Sequence, residues 1–266
     1  MSARGAVGHH PPARAGAPGS ERASVVLLHG GNVASWMWEP QVEALDDLDL
    51  WTPDLPGFGT RSDEDVASLD AMADAVAELV AALPPEREAH VVGLSLGGLV
   101  ALRVAARHPG LVTSVLASGA VVDGVHGVAG LVGRAQLRVW DRPWYWHAQA
   151  RAMRLPADGR EVFVRTGLAI RRETMERLLS DVYHGSWPAG LESSGARVLA
   201  VAGSRDLRAA RTALATVARR APEAVVRLAP GMHHHWSAED PDLFSATVRA
   251  WVVDGVPHPA LVPLPG

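Results

Sequence analysis

Residues 89–107 read AHVVGLSLGGLVALRVAAR, and they carry most of the local information about the fold. The first part, Ala89 to Gly93, is a short apolar run of the kind that forms a strand buried on both faces. The helical pattern from Leu96 to Arg107 follows at once, and Pro109-Gly110 ends it. The stretch therefore predicts a strand, a sharp turn and a helix in immediate succession.

The turn itself, Gly93-Leu94-Ser95-Leu96-Gly97, has the spacing G-x-S-x-G. Small residues at Gly93 and Gly97 let the strand and the helix approach closely, and the N-terminus of a helix favours developing negative charge. This pattern between a strand and a helix is typical of a nucleophile elbow, which holds its serine in a strained backbone conformation. A glycine-rich turn whose serine caps the helix would show the same residues. The flanking strand and helix favour Ser95 as a nucleophile.

Strands and helices alternate on both sides of this stretch. Further strands are predicted at Ser24–Leu28, Leu48–Thr52, Val112–Ala117, Arg197–Ala202 and Ala224–Leu228. Further helices are predicted at Ala67–Leu83, Leu207–Arg220 and Pro241–Val253. Alternation of this kind implies a parallel sheet covered on both faces. We therefore expect an α/β fold with a doubly wound, mainly parallel sheet of about six strands.

The ends of the chain differ in composition from this alternating core. Residues 1–22 are rich in Gly, Pro and Ala without strand or helix periodicity, which predicts a flexible tail with solvated His9 and His10. The core is predicted over 23–120 and 193–254, and residues 255–266 form a C-terminal tail.

The segment 121–192 interrupts the alternation. It lacks buried-strand runs, its pattern is helical, and it falls between two core strands, which together predict an inserted helical lid. Extra outer helices without a lid function are the alternative. Trp140, Trp144, Tyr145 and Trp146 are candidates for substrate contact, or they form the core of the segment itself.

The same segment is rich in arginine. Ten Arg stand against five acidic residues between Arg134 and Arg177. This excess is compatible with an acidic or polyketide-like substrate, and a solvated helix face explains it equally well.

Composition excludes several classes of protein. The 266 residues are 48% hydrophobic, with a net charge of -4 and a pI near 6.3, which gives no reason to expect a nucleic acid or an anionic membrane as partner. The absence of Cys excludes disulfides, a thiol nucleophile and Cys-ligated metals. No apolar run approaches the roughly 18 residues of a membrane helix, and no secretory signal is evident. We expect a cytoplasmic protein with a small-molecule substrate and no membrane partner.

Four motifs then follow one another along the chain. They are His29-Gly30-Gly31-Asn32, Asp54-Leu55-Pro56-Gly57-Phe58-Gly59, the elbow around Ser95, and a late His followed by Glu239-Asp240-Pro241-Asp242-Leu243-Phe244. With these motifs in this order, the sequence resembles the α/β-hydrolase fold family over about 23–254, in particular its small lidded hydrolases. Many members begin with an antiparallel hairpin, which residues 1–22 do not resemble, so the sheet is expected to start at Ser24.

The resemblance implies an oxyanion hole and a catalytic acid. The backbone N–H groups of Leu96 and Gly31 would form the oxyanion hole, and Asn32 would contact substrate or serve the turn. Asp206, directly after a predicted strand, matches the position of the acid, although it also fits a helix N-cap. Asp123 is the alternative acid, because some family members place theirs after the earlier strand.

The base lies within the run His233-His234-His235. In the family a Glu often follows the catalytic His by five residues, and counting back from Glu239 gives His234. His233 remains the alternative, and His235 is expected to face elsewhere. Consecutive side chains point in different directions on most backbones, which disfavours a metal site here.

These roles imply acyl transfer to water without a metal or organic cofactor. Haloalkane dehalogenases and epoxide hydrolases resemble this pattern but carry Asp at the elbow, so Ser95 argues against both. An ester, lactone or thioester hydrolase is expected. The alternatives are a C–C bond hydrolase or perhydrolase with the same triad, and a ligand-binding protein that retains the fold with little turnover.

Overall fold

The protein was analysed as a computed structural model that describes residues 7–11, 23–152 and 157–265. Seven strands form one sheet in the order β1-β3-β2-β4-β5-β6-β7. The strands are β1 Val7–His10, β2 Ala23–Leu28, β3 Asp49–Pro53, β4 Glu88–Leu94, β5 Ser114–Ser118, β6 Arg197–Gly203 and β7 Val225–Ala229. Every pair is parallel except β1 with β3. The predicted mainly parallel α/β sheet is confirmed.

Helices pack on both faces of this sheet and also form an insertion between two of its strands. They are α1 Glu39–Ala44, α2 Leu69–Ala81, α3 Leu96–Arg107, α4 Gly127–Ala135, α5 Pro143–Ala152, α6 Ala157–Ala169, α7 Arg172–His184, α8 Arg208–Arg220, α9 Trp236–Glu239 and α10 Pro241–Arg249. Within β2, Val26 and Leu28 join a core with α2, α3 and α8, whereas Val25 and Leu27 join a second core with α1 and α10. Alternate residues of a strand point to opposite faces, which explains the unbroken apolar run of β2.

All six strands predicted from the sequence are present, but the sheet does not start at Ser24, because β1 adds a seventh strand at its edge. The edge strand β1 is held by partners on β3. The His9 ring stacks on Trp51 with centroids 3.9 Å apart, and its Nε2 lies 2.8 Å from an Asp49 oxygen. His10 Nε2 lies 3.1 Å from the Thr52 hydroxyl. Since these contacts are polar and aromatic, β1 has no apolar alternation that a sequence pattern could reveal.

His9 is exposed, as expected, although its ring stacks on Trp51, whereas His10 is half-buried rather than solvated. The rest of the predicted flexible tail, residues 1–6 and 12–22, lies outside the described residues.

At the other end of the chain, Val262 pairs with the edge strand β7. Leu228 and Val262 exchange two backbone hydrogen bonds of 2.8 and 2.9 Å, and Leu261 is buried. The predicted C-terminal tail is thus anchored to β7.

Helices α4 to α7 form the insertion between β5 and β6, in the place that the sequence predicts for inserted helices. Hydrogen bonds join the insertion to the core. Trp36 Nε1 donates to Thr166 of α6 at 3.2 Å, and buried Arg103 of α3 donates to the Ser186 carbonyl at 2.9 Å. Within the ranges described, no helix is both long and apolar enough to cross a membrane.

Candidate active site

The candidate residues gather at one edge of the sheet. Ser95 follows β4, Asp206 follows β6 and His234 follows β7, while the Gly31 loop follows β2. Since these strands are parallel, their carboxyl ends share an edge, which is where open α/β sheets bind ligands. This topology brings together residues that lie between 28 and 203 positions apart in the sequence.

Ser95 stands at the sharp turn between β4 and α3 with φ 55° and ψ −110°. Among the described residues, it shares a positive φ with a single other non-glycine residue, Asn32. Such a backbone costs on the order of 1–3 kcal/mol and persists only where neighbours fix it. The Ser95 N–H donates to the Ser118 carbonyl at 2.7 Å, and the Leu99 N–H donates to the Ser95 carbonyl at 3.0 Å. The turn thus presents a half-buried hydroxyl above the central strand.

The glycines of the motif are required by this close turn. A side chain at Gly93 would collide with the Gly97 backbone, and one at Gly97 would collide with the Leu28 backbone. The sequence reasoning about close approach of strand and helix is confirmed at both positions. Leu96 is the first residue of α3, so its N–H has no partner within the helix.

The partly buried His234 is paired with the buried Asp206. His234 Nδ1 lies 2.8 Å from Asp206 Oδ1, and that oxygen also accepts the Leu207 N–H at 2.6 Å. A carboxylate acceptor places the proton on Nδ1 and leaves Nε2 free to accept one. Gly119, at φ +64°, makes room for the ring, because a Cβ there would lie 2.8 Å from His234 Cε1. The arrangement is that of an oriented general base.

The alternative acid lies elsewhere. Asp123 is exposed, and its carboxylate accepts a hydrogen bond of 2.7 Å from Thr216 of α8. The structure therefore pairs His234 with Asp206 and Asp123 with a helix on the outside of the sheet.

The two flanking histidines have different surroundings. His233 is exposed, and Glu239 accepts from both its ring Nδ1 and its backbone N–H, each at 2.8 Å. These hydrogen bonds lower the pKa of Glu239 and brace the loop that carries His234. The His235 ring lies edge-on to His234, with centroids 5.0 Å apart, and lines the same cavity as Ser95. His235 is exposed, as expected for solvent contact, but the turn before α9 also brings it into the cavity wall, which was not expected.

Two buried residues shape the loop of Gly31. His29 Nε2 accepts the Leu55 N–H at 2.9 Å, and burial lowers the pKa of His29, so the ring is neutral. Burial raises the pKa of Asp54, but hydrogen bonds from Ser35 and Thr60 outweigh it and hold the pKa below its ordinary value. These contacts join the loop after β2 to the loop after β3, so both residues serve structure.

A cavity of about 260 Å³ opens above Ser95. Its wall is mainly aliphatic, with few polar side chains. The lining residues are Gly31, Asn32, Ser95, Leu96, Leu99, Val121, Val125, Gln136, Met175, Leu178, Leu179, Val182, Tyr183, Leu207, His234 and His235. Ser95, His234, Gly31, Leu96 and Asn32 are thus brought together as the sequence predicts. The lining described here includes no Arg, Asp or Glu, so the arginine-rich segment puts no guanidinium into the cavity.

The four aromatic candidates do not line this cavity. Trp140 and Trp146 are fully buried against each other, with centroids 4.7 Å apart, and Tyr145 packs beside them. Trp144 is 61% exposed on the outer surface. The described contacts place this aromatic cluster in the core of the inserted helices, which corrects the interpretation that these rings face substrate.

Helix α7 supplies much of the cavity wall, a role that the sequence did not predict. Met175, Leu178, Leu179, Val182 and Tyr183 follow one another at helical spacing, and all five line the cavity. This apolar stripe was visible in the sequence, but it does not reveal whether the stripe faces a core or a cavity.

No group of three or more metal-ligating side chains is arranged as a metal site in the residues the structure covers. In the histidine run, the rings of His233 and His234 are directed to Glu239 and Asp206.

Comparison with known proteins gives a consistent result. The sequence profile of the α/β-hydrolase family matches residues 25–247. An AB hydrolase superfamily protein of Gibberella zeae is 27% identical, over 89% of this chain and 81% of its own length. A protein of Agrobacterium fabrum that carries the name of a carbamate hydrolase, RutD, is 30% identical over 88% of this chain and 94% of its own. The carboxylesterase CesB of Bacillus subtilis superposes with a TM-score of 0.73 at 18% identity, covering 94% and 88% of the two chains.

Proposed function

Because this chain belongs to the α/β-hydrolase family, we propose that it is a serine hydrolase that cleaves an ester-like bond of a small molecule. One observation carries the proposal. A strained serine and an Asp-oriented histidine open into the same apolar cavity, with 2.8 Å between His234 Nδ1 and the Asp206 carboxylate. A serine and an oriented histidine that share a cavity support an activated hydroxyl nucleophile.

The proposed reaction begins with attack of Ser95 Oγ on the substrate carbonyl carbon. His234 Nε2 takes the hydroxyl proton, and Asp206 stabilises the imidazolium that forms. The N–H groups of Gly31 and Leu96 bind the oxyanion of the tetrahedral intermediate. The carbon–leaving-group bond then breaks, and the imidazolium returns its proton to the leaving group. Water, activated by His234, attacks the acyl-serine and releases the acid and free Ser95.

The cavity supports a small and uncharged reacting group. A carboxylate next to the scissile bond would lose its hydration in a wall without a cation, which is costly. An ester, lactone or thioester satisfies this condition. The names of the relatives, a carbamate hydrolase and a carboxylesterase, support the same range of small-molecule carbonyl substrates.

We also propose that the inserted helices act as a lid. The α7 stripe forms one wall of the cavity, so access to Ser95 depends on where this helix lies. Closure by such helices excludes water from the reacting groups.

The test is a Ser95→Ala protein beside the unmodified protein. The unmodified protein should react with a fluorophosphonate probe and hydrolyse members of a panel of p-nitrophenyl esters, lactones and thioesters. Ser95→Ala should lose labelling and several orders of magnitude of turnover while it keeps its circular dichroism spectrum. Labelling that persists in Ser95→Ala would contradict the assignment of the nucleophile. Labelling without turnover of any substrate would favour the ligand-binding alternative.

A further inference from the structure

Gln136 is a polar residue in the part of the cavity wall that the inserted helices build. It stands where α4 ends, and its half-buried side chain lines the cavity together with the aliphatic stripe of α7. A half-buried carboxamide in an apolar wall bonds to an internal partner or to water, and a group that has no internal partner is available to a ligand.

The oxygen of this carboxamide already has a partner. The Tyr145 hydroxyl donates to Gln136 Oε1 at 2.6 Å, and Gln149 Nε2 donates to the same hydroxyl at 2.9 Å. A tyrosine hydroxyl has one proton, and here its oxygen accepts from Gln149, so that proton points to Gln136. The chain of two hydrogen bonds fixes the orientation of the Gln136 amide and leaves its NH2 group as a donor.

The chain rests on a rigid support. Tyr145 is buried, and its ring lies 5.1 Å from that of Trp146 in an edge-on contact. Trp146 Nε1 donates to the Trp140 carbonyl at 2.7 Å, and Trp140 Nε1 donates to the Ile170 carbonyl at 2.9 Å. The aromatic cluster therefore holds the Tyr145 hydroxyl at a fixed place against Gln136.

We infer that Gln136 is a substrate-binding residue that donates a hydrogen bond to a neutral oxygen of the substrate, and that Tyr145 is the positioning residue that orients it. The inference rests on the proposed function and narrows it. The substrate class is a small apolar ester with a second oxygen acceptor, a ketone or an ether, away from the scissile bond. A carboxylate acceptor is disfavoured, because the described lining includes no Arg to neutralise it.

Two pairs of substrates of equal length test this preference on either side of the ester. They are p-nitrophenyl levulinate against p-nitrophenyl pentanoate, and ethoxyethyl acetate against pentyl acetate. The preference is the ratio of kcat/KM within a pair, and it is measured in the unmodified protein and in Gln136→Met. A neutral hydrogen bond in a dry site predicts that Gln136→Met lowers the preference in at least one pair by about threefold to tenfold. The plain ester is the reference within each pair, so a loss of kcat/KM that is common to both members leaves the preference unchanged.

Variants around Gln136 separate the roles. Tyr145→Phe should lower the preference mainly through KM, because it leaves the amide in place but free to turn. Gln136→Glu keeps the oxygen that accepts from Tyr145 and removes the NH2 donor, so it should lose the preference even if Gln136→Met folds poorly. Trp144→Phe changes an exposed aromatic residue on α5, next to Tyr145, and should leave the preference in both pairs unchanged.

Calorimetry on a Ser95→Ala background distinguishes the failure of this inference from the failure of the proposed function. Without hydrolysis, the dissociation constants of both pairs still report whether an acceptor oxygen is favoured. Tighter binding of the levulinate or ethoxyethyl ester, lost in Ser95→Ala with Gln136→Met, supports the inference even if turnover is absent. Equal binding within both pairs, or equal loss for both members in Gln136→Met, overturns it.

Discussion

A substitution at Gly119 should lower activity by displacing the His234 ring, although Gly119 itself has no side chain that takes part in the proposed reaction. Gly119 follows β5 with φ +64°, and a Cβ built there lies 2.8 Å from His234 Cε1 and 3.0 Å from Nδ1. Ordinary contact distances are several tenths of an ångström longer. Since the Gly119 backbone is held by a hydrogen bond of 2.8 Å to the Val201 carbonyl, the His234 ring has to move.

The expected effect of Gly119→Ala has two parts. A methyl group at positive φ costs about 1–2 kcal/mol of stability. Displacement of a catalytic group by 1 Å can cost on the order of a hundredfold in rate. A shift of roughly half that size therefore predicts a loss of kcat between about tenfold and a hundredfold, with a smaller change in KM.

Gly110→Ala is the matched control. Gly110 follows α3 with φ +78°, and no atom lies within 4 Å of an added Cβ. Gly110→Ala should lose a similar amount of stability through its positive φ and should retain full activity. Urea denaturation measures the stability of both variants, and p-nitrophenyl butyrate hydrolysis with fluorophosphonate labelling rates measures the site. Equal kcat and equal labelling rates in the two variants would show that Gly119 does not protect the position of His234.

Three further predictions concern the acid, the base and a buried histidine. Asp206→Asn should lower kcat by about 10⁴-fold, because the oriented tautomer of His234 is lost, and the same change in a serine protease triad has an effect of this size. Asp123→Asn should lower kcat less than threefold. The opposite order in ester assays would identify Asp123 as the acid. His234→Ala should lose several orders of magnitude of turnover. His233→Ala should lose less than tenfold, because it removes only the hydrogen bond from the ring to Glu239. A His233→Ala protein as inactive as Ser95→Ala would show that the base is one residue earlier. Burial lowers the pKa of His90 to about 4, below the unfolded value near 6.5. The folded state therefore favours the neutral ring, and the resulting gain in the free energy of unfolding is complete above pH 6.5. This gain, up to about 3 kcal/mol, is lost as the pH falls towards 4. Urea midpoints between pH 7 and pH 4.5 should fall less in His90→Gln than in the unmodified protein, and an equal fall would argue against this role for His90.

The local elements were readable from the sequence. Helix α3 begins at Leu96 and ends at Arg107 as predicted, and the strand before it differs from its prediction by one residue at each end. Periodicity reports which side of an element is buried, and the small residues of G-x-S-x-G report a close turn. The fold class and the strained serine follow from such local signals, because each depends on residues that are neighbours in sequence.

The partners of side chains were set by the tertiary structure. The sequence left Asp206 and Asp123 open as acids and offered three consecutive histidines, and the structure brings Asp206 to His234 and places His235 in the cavity wall. Strand β1 and the hydrogen-bonded chain from Gln149 to Gln136 were likewise visible only in the tertiary structure. Each depends on the direction of side chains from distant elements after packing, and no periodicity or composition within one segment encodes that direction. The order of motifs in the sequence identified the candidate catalytic residues, and packing determined which of these candidates come into contact.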